Sequence, residues 1–278
     1  MSWSRATAAH TVDGLCRVFG RRPVVRAARF ALNRAKLDLP NEAETNGEQA
    51  LQRWVLAAAP ARSPITVFDV GANVGVWSES LLAQALRSGH SDTLDLHAFE
   101  PASTTCAALR ERLPSRVQVN QLAVSSSSRE SILHVVGPRA GTNSLHESSH
   151  HASQPETVRT TTLDEYARHH AIGLIDLLKV DTEGHDFEVL TGAADLFRGE
   201  RISVAQFEYN HRWVHARRFL KDVFDLLTPL GYAIGKLTPR GVEVYPRWDP
   251  ELESFVEGNY VACAPRSADR IPRVIWWK

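Results

Sequence analysis

The sequence predicts an α/β fold: a mostly parallel, seven-stranded sheet with helices on both faces. Two observations carry that prediction. Short, nearly continuous apolar runs, the mark of strands buried on both faces, alternate along the chain with segments of helical periodicity. Two of those runs, Val67-Phe68-Asp69-Val70-Gly71-Ala72-Asn73-Val74-Gly75-Val76-Trp77 and Leu177-Leu178-Lys179-Val180-Asp181-Thr182-Glu183-Gly184-His185-Asp186, lead through a polar turn into a helix. In an open parallel sheet, ligands bind in the crevice outside such carboxyl ends.

Each element follows from local pattern. Residues 48–59 read as a helix, which Pro60 and Pro64 end. Ile65–Val70 is the first strand, and Val76, Trp77, Leu81, Leu82 and Leu86 give a helix over Asn73–Leu86. Leu94–Glu100 is the second strand. Pro101 opens a helix to Leu113, at the N-terminal position proline tolerates. Val117–Val124 is the third strand, serines 125–128 a turn, and Ser131–Val136 a short returning strand. Residues 137–158 form a long polar loop carrying His146, His150 and His151, suited to close over a site as a lid. Thr162 caps a helix, with Glu165 completing a capping box. Leu174–Val180 is the fourth strand, and its helix runs to Phe197. Ile202–Tyr209, Tyr232–Leu237 and Asn259–Ala264 are strands five to seven, with a helix over Trp213–Leu230 and a hairpin strand at Val242–Tyr245.

The chain of 278 residues is long enough for a substantial core, and its formal net charge is zero, so nothing global points to nucleic acid. Cys16, Cys106 and Cys263 lack paired spacing, which argues against a disulfide framework or structural zinc and fits a reducing, cytoplasmic setting. No apolar run approaches the roughly 20 residues that span a bilayer. Abundant alanine and arginine suit a GC-rich bacterial genome. Residues 1–60 read as a basic N-terminal helical extension and 61–278 as the main domain. Within the extension Arg5, Arg17, Arg21, Arg22, Arg26, Arg29, Arg34 and Lys36 face only Asp13 and Asp38, and Leu15, Val18, Phe19, Val25 and Phe30 form apolar stripes. Three readings stand for it: a helical extension packed on the domain, a surface-binding helix, or a targeting segment.

Gly71 and Gly75 bracket the turn after the first strand, where the next helix offers free N–H groups. Their spacing falls short of the G-x-G-x-x-G fingerprint that holds a pyrophosphate. Asp69 either binds a cationic ligand group or ties down the loop. Glu100, ending the second strand, is placed to accept hydrogen bonds from ribose hydroxyls. An adenosine-type ligand without a diphosphate is S-adenosylmethionine more readily than NAD.

Val67–Trp77 resembles the first motif of class I, Rossmann-like methyltransferases. Lys179-Val180-Asp181-Thr182-Glu183-Gly184-His185 with Val189-Leu190-Thr191-Gly192-Ala193 resembles the signature of the FkbM family, as do Thr161–Tyr166, Phe207-Glu208-Tyr209-Asn210 and Asn259-Tyr260-Val261-Ala262. The resemblance spans residues 65–264 and departs mildly at Thr182, where an apolar residue is common. It implies methyl transfer from S-adenosylmethionine to a hydroxyl of a sugar, glycolipid, polyketide or peptide. It carries Gly71, Asn73 and Gly75 to the methionine part of the cofactor and Glu100 to the ribose. Ala123, within Leu122–Val124, falls at the adenine rim, and Asp181 faces sulfonium and acceptor. The second reading is a non-catalytic S-adenosylmethionine-binding module whose basic arm recruits a partner.

Transfer to a hydroxyl needs alignment and a proton acceptor. Asp181, Glu183, His185 and Glu208 are the catalytic candidates. An ordinary aspartate, with a pKa of about 3.9, is a poor base, whereas histidine near 6.5 is better matched. Asp181, Glu208 and Asn210 are oxygen donors of the kind magnesium takes, although the resemblance requires no metal and no metal site is assigned. The acceptor is expected to lie against residues 137–158 and 208–218, including His211, Trp213 and His215.

Overall fold

The computed structural model describes residues 5–38, 42–59, 63–135, 144–145, 154–267 and 269–274. The chain divides into two compact units, Met1–Pro40 and Asn41–Lys278. The first contains helices α1 (Arg5–Phe19) and α2 (Arg21–Ala35), joined at Gly20, whose φ of 82° is a conformation glycine adopts without strain.

In the second unit α3 (Glu48–Ala58) precedes β1 (Ile65–Val70). The chain continues through α4 (Val76–Arg87), β2 (Leu94–Phe99), α5 (Ser103–Arg112) and β3 (Gln118–Asn120). A small sheet of β4 (Ala123–Val124), β5 (Glu130–Val135) and β6 (Gln154–Thr161) comes next, in the order β4-β6-β5. Then come α6 (Leu163–His169), β7 (Ile175–Val180), α7 (Asp186–Thr191), α8 (Ala194–Arg198) and β8 (Ile202–Tyr209). The last elements are α9 (Trp213–Ala216), α10 (Leu220–Leu227), β9 (Ala233–Thr238), β10 (Gly241–Tyr245), β11 (Gly258–Cys263) and β12 (Arg273–Val274).

Nine strands form the main sheet, in the order β12-β10-β9-β11-β8-β7-β1-β2-β3. The five from β8 to β3 are parallel, and β11 and β9 are antiparallel to their neighbours. Two strands exceed the seven expected. The hairpin strand β10 stays in the sheet beside β9, and β12 pairs with β10 over two residues, too short a stretch to leave a sequence pattern. From β1 the chain winds outward through β2 to β3, then returns to β7 on the other side. The order reverses between β1 and β7, which makes their carboxyl ends the switch point where such sheets bind ligands.

Neighbouring residues of the central strands feed opposite faces. Phe68 and Leu178 join one apolar layer with Phe99, Phe187, Phe207 and Phe224; Val67 and Leu177 join the other with Leu51, Trp77, Leu81 and Leu109. Helix α3 belongs to that second layer through Leu51, Val55 and Leu56. Its buried Gln52 also donates to Trp77 O at 3.2 Å and accepts from Gln84 Nε2 at 2.7 Å, which ties it to α4. The boundary by packing therefore falls at 40/41 rather than at residue 60.

Several elements differ from expectation for identifiable reasons. Asn73 and Gly75 have positive φ, so α4 starts at Val76. The expected third strand is two pieces: Asn120 Nδ2 donates to Ala98 O and Gln118 O at the end of β3, and β4 pairs instead with β6. Strand β6 occupies the end of the stretch read as loop, antiparallel to β5. The helix after β7 divides at Gly192–Ala193, because the Asp164 carboxylate caps a new start through Asp195 N and Leu196 N. The helix over Trp213–Leu230 breaks at Arg217, whose φ is 55°. Thr162 caps α6 as expected, accepting from Glu165 N at 3.0 Å, but the Glu165 side chain accepts from Ser128 Oγ rather than closing the box.

Candidate active site

The ends of β1 and β7 are locked edge to edge. Asp181 N donates to Val70 O at 3.0 Å, while Gly71 N and Ala72 N both donate to Phe99 O on β2. Gly71 has φ 76°, and a Cβ there would lie 1.8 Å from Asp181 O, so no other residue fits the turn without moving the backbone. Beyond it Asn73 N donates to Glu100 Oε2 at 3.1 Å, and Ala102 N donates to Oε1 at 3.0 Å. Each carboxylate oxygen of Glu100 thus keeps one lone pair. Burial, only partly offset by those amides, pushes the Glu100 carboxyl up to about 7.

Beneath this turn lies a buried charge cluster. Lys179 Nζ stands 3.3 Å from Asp69 Oδ1, 3.3 Å from Asp181 Oδ2 and 3.5 Å from Gly71 O. Burial by itself lowers an ammonium's pKa, but the charges of Asp69, Asp181 and Glu48 overcome it and raise that of Lys179. Asp69 also accepts from Ser78 Oγ at 2.6 Å. Glu48, at the start of α3, accepts from Gln206 Nε2 at 2.6 Å and from Asn46 Nδ2 at 3.1 Å. Asp181 is an open member of this cluster, with its side chain 37% exposed.

The turn after β7 is strained and braced. Glu183 holds φ 58° and Gly184 φ 94°, while buried Asp186 accepts from Gly184 N at 3.2 Å and Thr182 N at 3.4 Å. Glu183 pairs with Arg212 at 2.9 Å, and its carbonyl accepts from Ser144 Oγ at 3.0 Å. Burial first, and then the charge of Asp181, push Glu183 up to about 8 and Asp186 up to about 7. The same two causes, joined by Asp186, Glu183 and Glu257, push Glu208 up to about 10. His185 is buried with Nε2 2.9 Å from Ser125 Oγ.

Seven of the residues singled out from sequence line one cleft: Gly71, Asn73, Glu100, Ala123, Asp181, Glu183 and His185. Leu122, Ser144 and Leu145 complete its wall. Three others do not line it. Asp69 is wholly buried on Ser78 and Lys179. Gly75 lies against α5, where a Cβ would meet Leu109 Cδ1 at 2.7 Å, so its lack of a side chain serves helix packing. Glu208 is buried and accepts from Asn210 Nδ2. Asp181 stands against Lys179, and among the described residues no group of three or more His, Cys, Asp or Glu is placed to hold a metal ion. Trp213 is core, donating to Glu208 O, while His211 and His215 are exposed. His146, His150 and His151 lie outside the described residues.

Sequence reasoning passed over Lys179 and Glu48. The available signal for the first was a charged residue inside Ile175–Val180, an otherwise nearly continuous apolar strand. Glu48 left no signal, since its nearness to Lys179 depends on where α3 packs.

The methyltransferase FkbM domain pattern matches residues 69–234. The hexuronic acid methyltransferase AglP of Haloferax volcanii is 28% identical over 205 residues, covering 73% of this chain and 76% of that protein. Among solved structures, the plantazolicin methyltransferase BpumL in complex with a monoazolic desmethylPZN analogue and SAH aligns with a TM-score of 0.43 at 11% identity, covering 91% and 94% of the two chains. A SAM-dependent methyltransferase from Aquifex aeolicus aligns at 0.39 and 14%, covering 82% and 96%. With the pattern spanning more than half its length, this chain belongs to the FkbM family and is an S-adenosylmethionine-dependent methyltransferase.

Proposed function

We propose that the enzyme methylates a hydroxyl of a small, sugar-like molecule. The observation that carries the hydroxyl is the pair of carboxyl side chains, Asp181 and Glu183, that line one end of the cleft. Asp181 is partly exposed and held by Lys179, and Glu183 is held by Arg212. A neutral hydroxyl that enters there donates its hydrogen bond to one carboxyl group and its proton to the other. The relative named for hexuronic acid supports a sugar-type acceptor.

In this reading Gly71 and Asn73 line the methionine end of the cofactor site, Glu100 takes the ribose hydroxyls on its two remaining lone pairs, and Leu122–Val124 form the adenine rim. Bound there, S-adenosylmethionine supplies the electrophilic methyl group. Asp181, anchored from below by Lys179, holds the acceptor oxygen in line, an effect worth up to about 7–11 kcal/mol. Glu183 receives the hydroxyl proton; its raised pKa brings it nearer the operating pH than an ordinary carboxylate. His185, bonded to Ser125, supports the turn and the adenine side.

The test supplies methyl-labelled donor with neutral glycosides and with uronic acids. An alkali-stable methyl ether is the expected product, and an alkali-labile ester would overturn the reading. Asp181→Asn is expected to lower kcat by about 10²-fold while the donor's Kd barely changes; full turnover in that variant removes Asp181 from acceptor positioning.

Glu100 makes cofactor binding depend on pH. Below about 7 its carboxyl is protonated in the free enzyme, and donated ribose hydroxyls favour the ionised form. Affinity therefore rises with pH through that value, with release of a proton. Calorimetry in two buffers of different ionisation heat reads the release directly. Glu100→Ala should abolish it and weaken binding by about 10–100-fold, the worth of a charge-assisted hydrogen bond. Unchanged affinity would take Glu100 off the ribose.

A further inference from the structure

We propose that the N-terminal helical unit docks the enzyme in the plane of an anionic lipid bilayer, whatever the acceptor proves to be. Neither α1 nor α2 buries a single side chain. On α1, Ala8, Val12, Leu15 and Phe19 recur at the spacing of one helical face. The last three are 48%, 43% and 64% exposed, while His10, Asp13 and Arg17 fall on the other side. On α2, Val24, Val25, Ala28 and Leu32 share one face, and Arg22, Arg26, Arg29 and Asn33 line the next. Phe30 stands apart from the apolar face, on the arginine side.

Charge names the occupant. The eight basic side chains of residues 5–38 face two aspartates, a net of +6, and the whole chain is neutral, so the remainder carries −6. The excess of positive charge therefore resides in this unit. A nucleic acid would meet the arginines but leave the apolar faces in water. A second copy of the chain would cover the apolar faces but bring like charges together. A bilayer with anionic headgroups satisfies both features at once, apolar side chains entering the acyl boundary and arginines meeting the headgroups. Among the described residues no helix is long and apolar enough to cross a membrane, so this contact lies on the surface.

Flotation of the full chain tests this, with vesicles of phosphatidylcholine alone and with a third of phosphatidylglycerol. The chain should float with the anionic vesicles at low salt, stay behind with neutral ones, and be released by high salt. Reversing three charges, Arg22→Glu, Arg26→Glu and Arg29→Glu together, should reduce partitioning by more than about a hundredfold, since each basic residue at such a surface is worth roughly fivefold. The triple variant Val12→Ser, Leu15→Ser, Phe19→Ser should also detach, and a Phe19→Trp reporter should shift its emission to the blue on anionic vesicles. These side chains are unburied, so circular dichroism and donor binding verify that every variant is folded. Failure to float, or equal binding to neutral vesicles, overturns the proposal. So does arginine-dependent retention of single-stranded RNA without vesicle binding, or self-association abolished by the serine variant without vesicle binding.

Discussion

A Lys179→Met variant is expected to lose about 3–5 kcal/mol of folding stability, the cost of breaking a buried ion pair from one side. The ammonium sits against Asp69, which is wholly buried, and against Asp181, with Glu48 near enough to add to its charge. Methionine fills similar volume but leaves the Asp69 carboxylate, among the described residues, with the Ser78 hydroxyl as its remaining side-chain partner. Urea unfolding measures the loss. The double variant Lys179→Met, Asp69→Asn should recover part of it, because it removes the one wholly buried carboxylate that the lysine leaves unpaired. A single-variant loss below about 1 kcal/mol, in the range of an exposed pair, would show that the cluster is solvated and does not organise the site.

Gly71→Ala should abolish donor binding. The new methyl group would stand 1.8 Å from Asp181 O, backbone that cannot yield as a side chain can, at a φ of 76°. The left-handed conformation alone costs about 1–2 kcal/mol, and relieving the clash means parting the ends of β1 and β7. Those ends carry Asn73 and Asp181, so their separation dismantles the cleft as well as straining the fold. Calorimetry with S-adenosylmethionine should give no heat. Gly75→Ala provides the contrast: its clash is with the tip of the Leu109 side chain, so stability falls while the cleft wall stays intact. Wild-type affinity in Gly71→Ala would mean that the strand ends are not held as described.

Glycine and carboxylate positions were legible in the sequence because they sit where an apolar strand stops, and a parallel sheet gathers its strand ends on one side. That is why Gly71, Asn73, Glu100, Asp181 and Glu183 share the cleft although they come from three separate stretches of chain. Asp69 and Gly75 belong to the same motif but do not line the cleft. Within each motif, strand alternation and helix packing decide which side chains face a ligand, and here Asp69 turns to Lys179 and Gly75 to α5. Glu208 is a similar case, since a strand-end carboxylate reads alike whether open to a cleft or turned toward Asn210.

By itself the sequence determined the α/β class, the order of the parallel strands' motifs and the family, because these rest on local periodicity and on short segments whose spacing the chain preserves. Tertiary structure alone decided the ninefold sheet, the assignment of α3 to the catalytic unit and the buried cluster of Glu48, Asp69, Lys179 and Asp181. The physical reason is distance along the chain. A charge's environment depends on neighbours brought from more than a hundred residues away, and neither periodicity nor composition encodes which carboxylates will surround a lysine once the sheet has closed over it.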